Sequence, residues 1–91
     1  MIRTKPTLAV AEVMLGNPGG RFYGYNLWQI TGVRFGTLYP MLARFERDGL
    51  VRSQWQAPED MGAKQIMPRR YYVLTDMGRA ELSALISTER P

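Results

Sequence analysis

The sequence predicts a mainly helical domain with a small β-hairpin, in the order helix–helix–helix–strand–strand–helix. Apolar residues recur at helical spacing in the first half of the chain, and glycine and proline separate these segments. Two short runs rich in valine and aromatic residues follow, on either side of a polar loop. With 91 residues, of which 45% are hydrophobic, the chain is predicted to form one domain with a buried core. We divide this domain into an N-terminal helix and turn (1–20), a pair of helices (22–49), a hairpin (50–75) and a short C-terminal helix (76–91).

The first predicted helix spans Thr7 to Leu15 and is apolar on nearly all sides. Pro6 suits the start of a helix, and Gly16 followed by Pro18 is typical of its end. A helix that is apolar all round must be covered all round. We therefore expect the domain core to cover one side of this helix and a second subunit to cover the other.

Two further helices follow. The second is predicted from Phe22 to Ile30, and Gly32 suits the left-handed backbone that ends a helix. The third is predicted from Arg34 to Asp48, and Gly49 is expected to cap its end. Pro40 lies in this segment, and the sequence leaves open whether it belongs to the first turn or removes one backbone hydrogen bond. The apolar stripe of the third helix consists of Leu38, Met41, Leu42 and Phe45.

The hairpin and the last helix complete the order of elements. Strands are predicted from Leu50 to Gln56 and from Arg69 to Leu74, with a mobile loop at residues 57–68 between them. Trp55 is expected to cover the core beneath the hairpin. Thr75 is the predicted N-cap of the last helix.

Two helices joined by a three-residue turn and followed by a β-hairpin form the pattern of a winged helix-turn-helix. Apolar Leu27, Leu38 and Met41 are expected on the inside of the helix pair, with Gly32 in the turn. In this fold the second helix of the pair enters the major groove of DNA. The pattern therefore predicts a mainly α domain with a small β-hairpin wing that binds double-stranded DNA.

The composition excludes most catalytic and metal-binding chemistry. The chain contains no cysteine and no histidine, which removes disulfides, thiolate nucleophiles, imidazole bases and the common zinc sites. Its eight acidic residues are scattered, and Glu59 and Asp60 are the only adjacent pair. We expect no catalytic residue, no metal ion and no cofactor. No apolar run approaches the ~20 residues of a membrane-spanning helix and no signal peptide is evident, so we expect a cytoplasmic protein without a membrane partner.

The charge distribution indicates a polyanionic partner. The net charge is +4. Residues 34–55 carry four arginines against two acidic residues, whereas residues 76–91 carry two arginines against three acidic residues. Because the positive excess lies outside the C-terminal segment, we expect the middle of the chain to meet the phosphates of DNA.

Four blocks of the sequence resemble the PadR family of bacterial transcriptional regulators. They read YGYNL at 23–27, GTLYPML at 36–42, FERDGLV at 45–51 and RYYVLT at 70–75, the last running on to Gly78-Arg79-Ala80. The resemblance covers roughly residues 7 to 82. It implies a homodimeric repressor on an inverted-repeat operator, with the third helix in the major groove and the hairpin on an adjacent groove or backbone.

The resemblance also suggests which residues meet DNA. Thr37 and Tyr39 match recognition-helix positions, Tyr23 matches a backbone contact, and Arg69, Arg70 and Lys64 match the wing. Arg34 opens the recognition helix and is a candidate to read guanine, and Arg44 lies off the apolar stripe of the same helix. At Arg34 and Phe35 the chain departs from the small or polar residues that the family often has there. The DNA-binding candidates are Tyr23, Arg34, Thr37, Tyr39, Arg44, Lys64, Arg69 and Arg70.

Two alternatives to a simple repressor stay open. The fold could serve as a protein-interaction module, or the chain could be a sensor that binds an aromatic ligand in a pocket at the dimer interface. Trp28 is either a ring packed against the first helix or a partner, or one wall of a site for a small aromatic effector. The expected dimer-interface residues are Leu8, Ala11, Leu15, Leu82, Leu85 and Ile86.

Overall fold

Four α-helices and a three-stranded antiparallel sheet lie within residues 4–89, the part of the chain that the computed structural model describes. The mainly helical fold with a small hairpin is confirmed. Residues 1–3 and 90–91, at the edges of the predicted N- and C-terminal segments, lie outside the described residues. The elements are α1 (Lys5–Gly16), β1 (Phe22–Tyr23), α2 (Gly24–Thr31), α3 (Phe35–Arg47), β2 (Val51–Trp55), β3 (Arg70–Leu74) and α4 (Asp76–Glu89).

The sheet contains a strand that the sequence analysis assigned to a helix. Phe22 and Tyr23 were expected to begin the second helix, but they form β1 and pair with Tyr72 and Tyr71 of β3. The backbone of Tyr23 is extended, and α2 starts only at Gly24. The prediction was wrong because β3 offers the chain an open edge, and pairing with that edge satisfies backbone hydrogen bonds that would otherwise be free. The strand order is β1-β3-β2.

The predicted helix ends are confirmed. Gly32 follows α2 with φ +75°, and Gly49 follows α3 with φ +78°, both in the left-handed region that favours glycine. The hydroxyl of Thr75 accepts a hydrogen bond from the backbone N–H of Gly78 at 2.9 Å, as an N-cap does. These residues therefore mark the ends of α2 and α3 and the start of α4.

Pro40 is the sixth residue of α3 and therefore lies beyond its first turn. Proline has no backbone N–H, so the carbonyl group of Gly36 lacks its usual donor four residues on. Of the two positions that the sequence left open, the structure shows the one that removes a hydrogen bond within the helix.

The core lies between the helices and one face of the sheet. α1 packs against α2 and α4, α2 packs against α3, and α3 packs against β2. This packing fixes the position of α3 relative to the hairpin. The main side chains of the core are Val10, Met14, Leu27, Leu38, Met41, Leu42, Phe45, Leu50, Val51, Leu74 and Leu82.

Two residues expected at a dimer interface instead belong to this core. Ala11 and Leu82 are 0% exposed, because neighbouring helices of the same chain already cover them. Their assignment to a partner-facing surface was wrong. Leu8 is half-buried, and Leu15, Leu85 and Ile86 are half-buried against the edge of the core.

Trp55 does not cover the core, contrary to the prediction, since its side chain is 64% exposed. Alternation along β2 places it on the same face as buried Val51. However, it lies at the far end of the strand, where it pairs with exposed Arg70. The face was correct, but the sheet extends beyond the helices that cover it.

Within residues 4–89, no helix has both the length and the hydropathy needed to cross a membrane. The same part of the chain contains no group of three or more acidic, histidine or cysteine side chains that could hold a metal ion.

Candidate nucleic-acid interface

The outward side of α3 is open to solvent. The apolar stripe of α3 faces the core, and three small or apolar residues lie on the opposite side of the helix, given 100° per residue. All three are exposed. We call them the outer row: Gly36, Pro40 and Ala43. Nothing within the described chain covers the outer row, so a partner can approach the helix backbone closely.

Arginine side chains flank the outer row. Arg34 is the N-cap residue of α3, and Arg44 lies in its last turn. Both are exposed, and neither forms an ion pair with another residue between 4 and 89. Arg47 differs, because it continues the line of the outer row at the end of α3 and its Nε lies 3.5 Å from Oδ1 of Asp48. Within residues 4–89, two full positive charges beside the outer row are therefore left without an ion-pair partner, and we call them uncompensated.

Thr37 lies on the arginine side of α3 and is exposed. Its backbone N–H donates to the carbonyl oxygen of Arg34 at 2.9 Å. Its hydroxyl has no hydrogen-bond partner in the described part of the chain. The hydroxyl is thus free to bind an external group.

Four exposed aromatic rings form a continuous surface across α2 and α3. We call Tyr25, Trp28, Phe35 and Tyr39 the aromatic row. The ring centroids of successive members are 5.6, 5.6 and 5.4 Å apart. Trp28 is 39% exposed and packs between the rings of Tyr25 and Phe35. This row was not predicted from the sequence, although Tyr25 and Trp28 have helical i,i+3 spacing and Phe35 and Tyr39 have i,i+4 spacing.

A groove of about 510 Å³ lies between the start of α2, the side chain of Tyr39 and the start of β3. The hydroxyl group of Tyr39 lies so close to Gly24 that a Cβ atom at position 24 would displace the Tyr39 side chain. The groove brings together four of the predicted DNA-binding residues, namely Tyr23, Tyr39, Arg69 and Arg70. The residues that line it are Tyr23, Gly24, Tyr25, Tyr39, Arg69, Arg70 and Tyr72.

Tyr72 is the most buried side chain of the groove, and its hydroxyl has no hydrogen-bond partner within residues 4–89. Burial raises the pKa of Tyr72, so the phenol stays neutral and keeps its proton available for donation. Phenol and guanidinium groups both donate hydrogen bonds to anionic oxygens. The groove is therefore suited to an anionic group such as a phosphate.

Arg69 and Arg70 differ in their electrostatic state. An Nη atom of Arg70 lies 3.3 Å from a carboxylate oxygen of Glu46 on α3. The same nitrogen donates to the hydroxyl of Ser53 at 2.7 Å, and Ser53 donates to Glu46 in turn. Arg69 forms no ion pair in the described part of the chain. Arg69 thus presents a full charge, whereas that of Arg70 is partly compensated.

A model of the PadR-like family of transcriptional regulators matches residues 20–84, which is more than half of the chain. The chain belongs to this family. The resemblance inferred from the four sequence blocks is confirmed. The matched region includes the helix pair α2–α3 and the hairpin β2–β3. We now call this hairpin the wing.

Solved PadR-like structures share the fold. A PadR-like transcription factor from Bacteroides fragilis is 30% identical, with a TM-score of 0.69, over 94% of this chain and 82% of that one. A PadR-family regulator from Eggerthella lenta is 30% identical, with a TM-score of 0.70, over 92% and 73%. The MepR Q18P mutant from Staphylococcus aureus, at 15% identity and a TM-score of 0.72 over 92% and 56%, shares the fold alone. No curated protein matches the chain.

The wing loop of this PadR-like chain is organised by two glutamines. The amide of Gln65 donates to the carbonyl oxygen of Met67 at 2.8 Å and also hydrogen-bonds to the side chain of Gln56. Gln56 accepts from the backbone N–H of Arg69 at 3.3 Å. Lys64 is exposed in this loop and does not line the groove. Lys64 is thus the one wing cation among the predicted residues that the structure keeps apart from the groove.

Two further exposed arginines, Arg21 and Arg52, were not among the candidates predicted from the sequence. Arg21 lies over the ring of Tyr71 at 4.7 Å and forms a 3.2 Å ion pair with Asp60 of the wing loop. The hydrogen bond with Asp60 raises the pKa of Arg21. Arg52 lies on β2 opposite Val73, exposed and without an ion pair in the described residues. Its position after buried Val51 in an alternating strand was a usable signal for an outward charge.

Proposed function

We propose that the chain binds double-stranded DNA in a sequence-specific manner and represses transcription as a homodimer on an inverted repeat. The single observation that carries this proposal is the open outward side of α3, flanked by the uncompensated charges of Arg34 and Arg44. A helix of this kind fits the major groove, and the PadR-like family is one of transcriptional regulators.

The groove supports the proposal by offering a second contact with the duplex. Contacts with phosphates position a protein on DNA, whereas contacts with base edges specify the sequence. Tyr23 and Arg69 in the groove would hold a backbone phosphate beside α3, and Lys64 would hold another further along the wing. Arg34 and Thr37 would then face base edges.

Half-buried apolar side chains on α1 and α4 support the homodimer. Leu15 and Ile86 line a shallow cavity of about 490 Å³ between these helices. Together with Leu8 and Leu85 they offer a second copy of the chain an apolar surface that the core leaves partly exposed. A symmetric dimer would present two copies of α3 to half-sites about one helical turn apart.

We further propose that the protein acts in the cytoplasm and has neither a catalytic activity nor a resident cofactor. The regulator family and the lack of histidine and cysteine support this view.

Selection of bound duplexes from a random pool, read by sequencing, tests the proposal. We expect enrichment of a palindrome, because a symmetric dimer recognises the same half-site twice. Recovery of random duplexes, with affinity no better than that of a generic basic protein, would contradict the proposal. In that case a protein-interaction module would be the better description, and the partner would be a protein.

A matched pair of variants locates the interface. Arg44→Ala and Arg79→Ala each remove one exposed arginine without an ion pair in the described chain, and both lower the net charge from +4 to +3. We expect Arg44→Ala to weaken binding to the selected duplex more than Arg79→Ala, since only Arg44 lies on α3. Equal losses would show that net charge alone drives the binding.

An aromatic effector is a second candidate function, favoured by the exposed indole of Trp28. A flat ligand stacked on the aromatic row would quench Trp28 and leave Trp55, which is not part of the row, unchanged. Fluorescence titrations of the Trp28→Phe and Trp55→Phe variants separate the two indoles. Quenching that persists in Trp28→Phe would exclude the row as the ligand site.

A further inference from the structure

The outer row lacks the chemistry that usually reads base edges. Gly36, Pro40 and Ala43 have no side-chain hydrogen-bond donor or acceptor. In the major groove the bases present donors, acceptors and the 5-methyl group of thymine. Of these features, only the methyl group makes a favourable contact with an apolar surface.

Phe35 is a further exposed apolar side chain of α3, at the place where base contacts are expected. It is the first residue of α3, and its ring is 40% exposed. The N-terminal residues of a recognition helix are those that contact base edges. Phenylalanine cannot form a hydrogen bond with a base edge, but it does contact the thymine methyl group.

The ring of Phe35 is held in place by its neighbours. Its centroid lies 5.6 Å from that of Trp28 and 5.4 Å from that of Tyr39, with interplanar angles of 33° and 22°. An exposed ring that is already fixed loses little conformational freedom when it binds. Both neighbours lie at shallow angles and cover part of the ring faces, so the ring suits a methyl group better than a stacked, unpaired base.

We propose that α3 also reads thymine 5-methyl groups in its DNA site, in addition to the base edges that Arg34 and Thr37 face, with Phe35 as the principal methyl contact and the outer row allowing close approach. The inference rests on the proposed DNA-binding function and adds the chemical feature that is recognised. The uncompensated charge of Arg34 next to Phe35 would hold the helix end against the duplex.

Replacement of thymine by deoxyuridine tests the inference, because it removes only the methyl group. The duplex selected above is prepared with uracil at one thymine position at a time, and the dissociation constant is measured by fluorescence anisotropy. We expect about a fourfold weakening for each methyl group that is contacted. Uracil outside the selected half-sites serves as the internal control and should have no effect.

Variants assign the effect to Phe35. Phe35→Ala should bind the thymine and uracil duplexes with equal affinity at the position that Phe35 contacts. Met77→Ala removes a side chain that is 53% exposed on α4, and it should keep the full difference. A difference that survives in Phe35→Ala would overturn the role of Phe35.

The outcomes separate this inference from the function on which it rests. A selected palindrome that binds equally well with uracil at every thymine position overturns the methyl inference and leaves the regulator proposal standing. Failure to select any sequence overturns both. The measurement with the unaltered protein decides the methyl question even if Phe35→Ala does not fold.

Discussion

Substitution of alanine for Gly78 is predicted to destabilise the fold, because the start of α4 packs directly against the backbone of Leu50, the residue that precedes β2. Gly78 is the third residue of α4, and a Cβ atom there would overlap the backbone carbonyl group of Leu50. That carbonyl cannot move freely. It accepts a hydrogen bond from the N–H of Thr75 at 3.0 Å, and the N–H of Leu50 donates to Phe45 at 2.8 Å. The start of α4 would therefore have to move away from the core.

The expected loss follows from the cost of adding one carbon to a packed contact. Overpacking of this kind lowers the free energy of unfolding by about 1–3 kcal/mol. For a domain of this size, each kcal/mol corresponds to a decrease in Tm of about 4–8 °C. Urea denaturation followed by circular dichroism measures the change.

Gly36→Ala is the matched control. Gly36 also lies in the first turn of a helix, its φ is not positive, and no atom lies within 4 Å of the added Cβ. Alanine there restricts the unfolded chain, so we expect a stabilisation of about 0.4–1 kcal/mol. The two glycine substitutions should thus have opposite signs. A Gly78→Ala protein as stable as Gly36→Ala would refute the reasoning from the Leu50 contact.

Three further predictions concern the wing and the C-terminal helix. Arg69→Ala should make the slope of the logarithm of the DNA-binding constant against the logarithm of the salt concentration shallower by about 0.9. Arg70→Ala should change this slope less, because Glu46 already compensates the charge of Arg70. Equal slopes for the two variants in a salt titration would contradict this prediction. Thr75→Ala removes the N-cap of α4 and should lower the free energy of unfolding by about 1 kcal/mol in urea, whereas an unchanged midpoint would contradict the cap. Burial raises the pKa of Tyr72, so the folded chain holds this proton more tightly and stability falls as the pH rises above about 10. Tyr72→Phe should lose less stability between about pH 9 and about pH 11, and an identical loss would exclude this cause.

Local signals in the sequence were sufficient for the C-terminal ends of the helix pair and for the start of α4. Gly32 and Gly49 end α2 and α3 because few other residues adopt a positive φ without strain. Thr75 marks the start of α4 through its own hydroxyl. Such signals act over three or four residues, so a single sequence reveals them.

Contacts between distant segments could not be predicted in the same way. Phe22 joins the sheet only because β3, about 50 residues later, lies beside it. The fate of Trp55 depends on where the helical layer stops, which alternation along one strand does not reveal. Ala11 and Leu82 likewise face inward because of how α1 and α4 cross.

In the candidate site, too, local features could be predicted from the sequence and contacts between distant segments could not. Of the arginines and tyrosines that line the groove, four were predicted from the sequence and two were not, namely Tyr25 and Tyr72. The sequence also did not distinguish Arg69 from Arg70. The difference between them arises from Glu46, which lies 24 positions earlier than Arg70 on another element. The contact between Trp28 and Phe35 also joins two helices, so spacing within either helix could not predict it.

The bridge from Glu46 to Arg70 has one more consequence. It connects α3 to both strands of the wing, because Arg70 lies on β3 and Ser53 of β2 hydrogen-bonds to both side chains. In the proposed complex, a duplex that contacts both α3 and the wing would have to match the spacing between them by twisting or bending. Base steps that no side chain touches would then influence affinity through their stiffness alone.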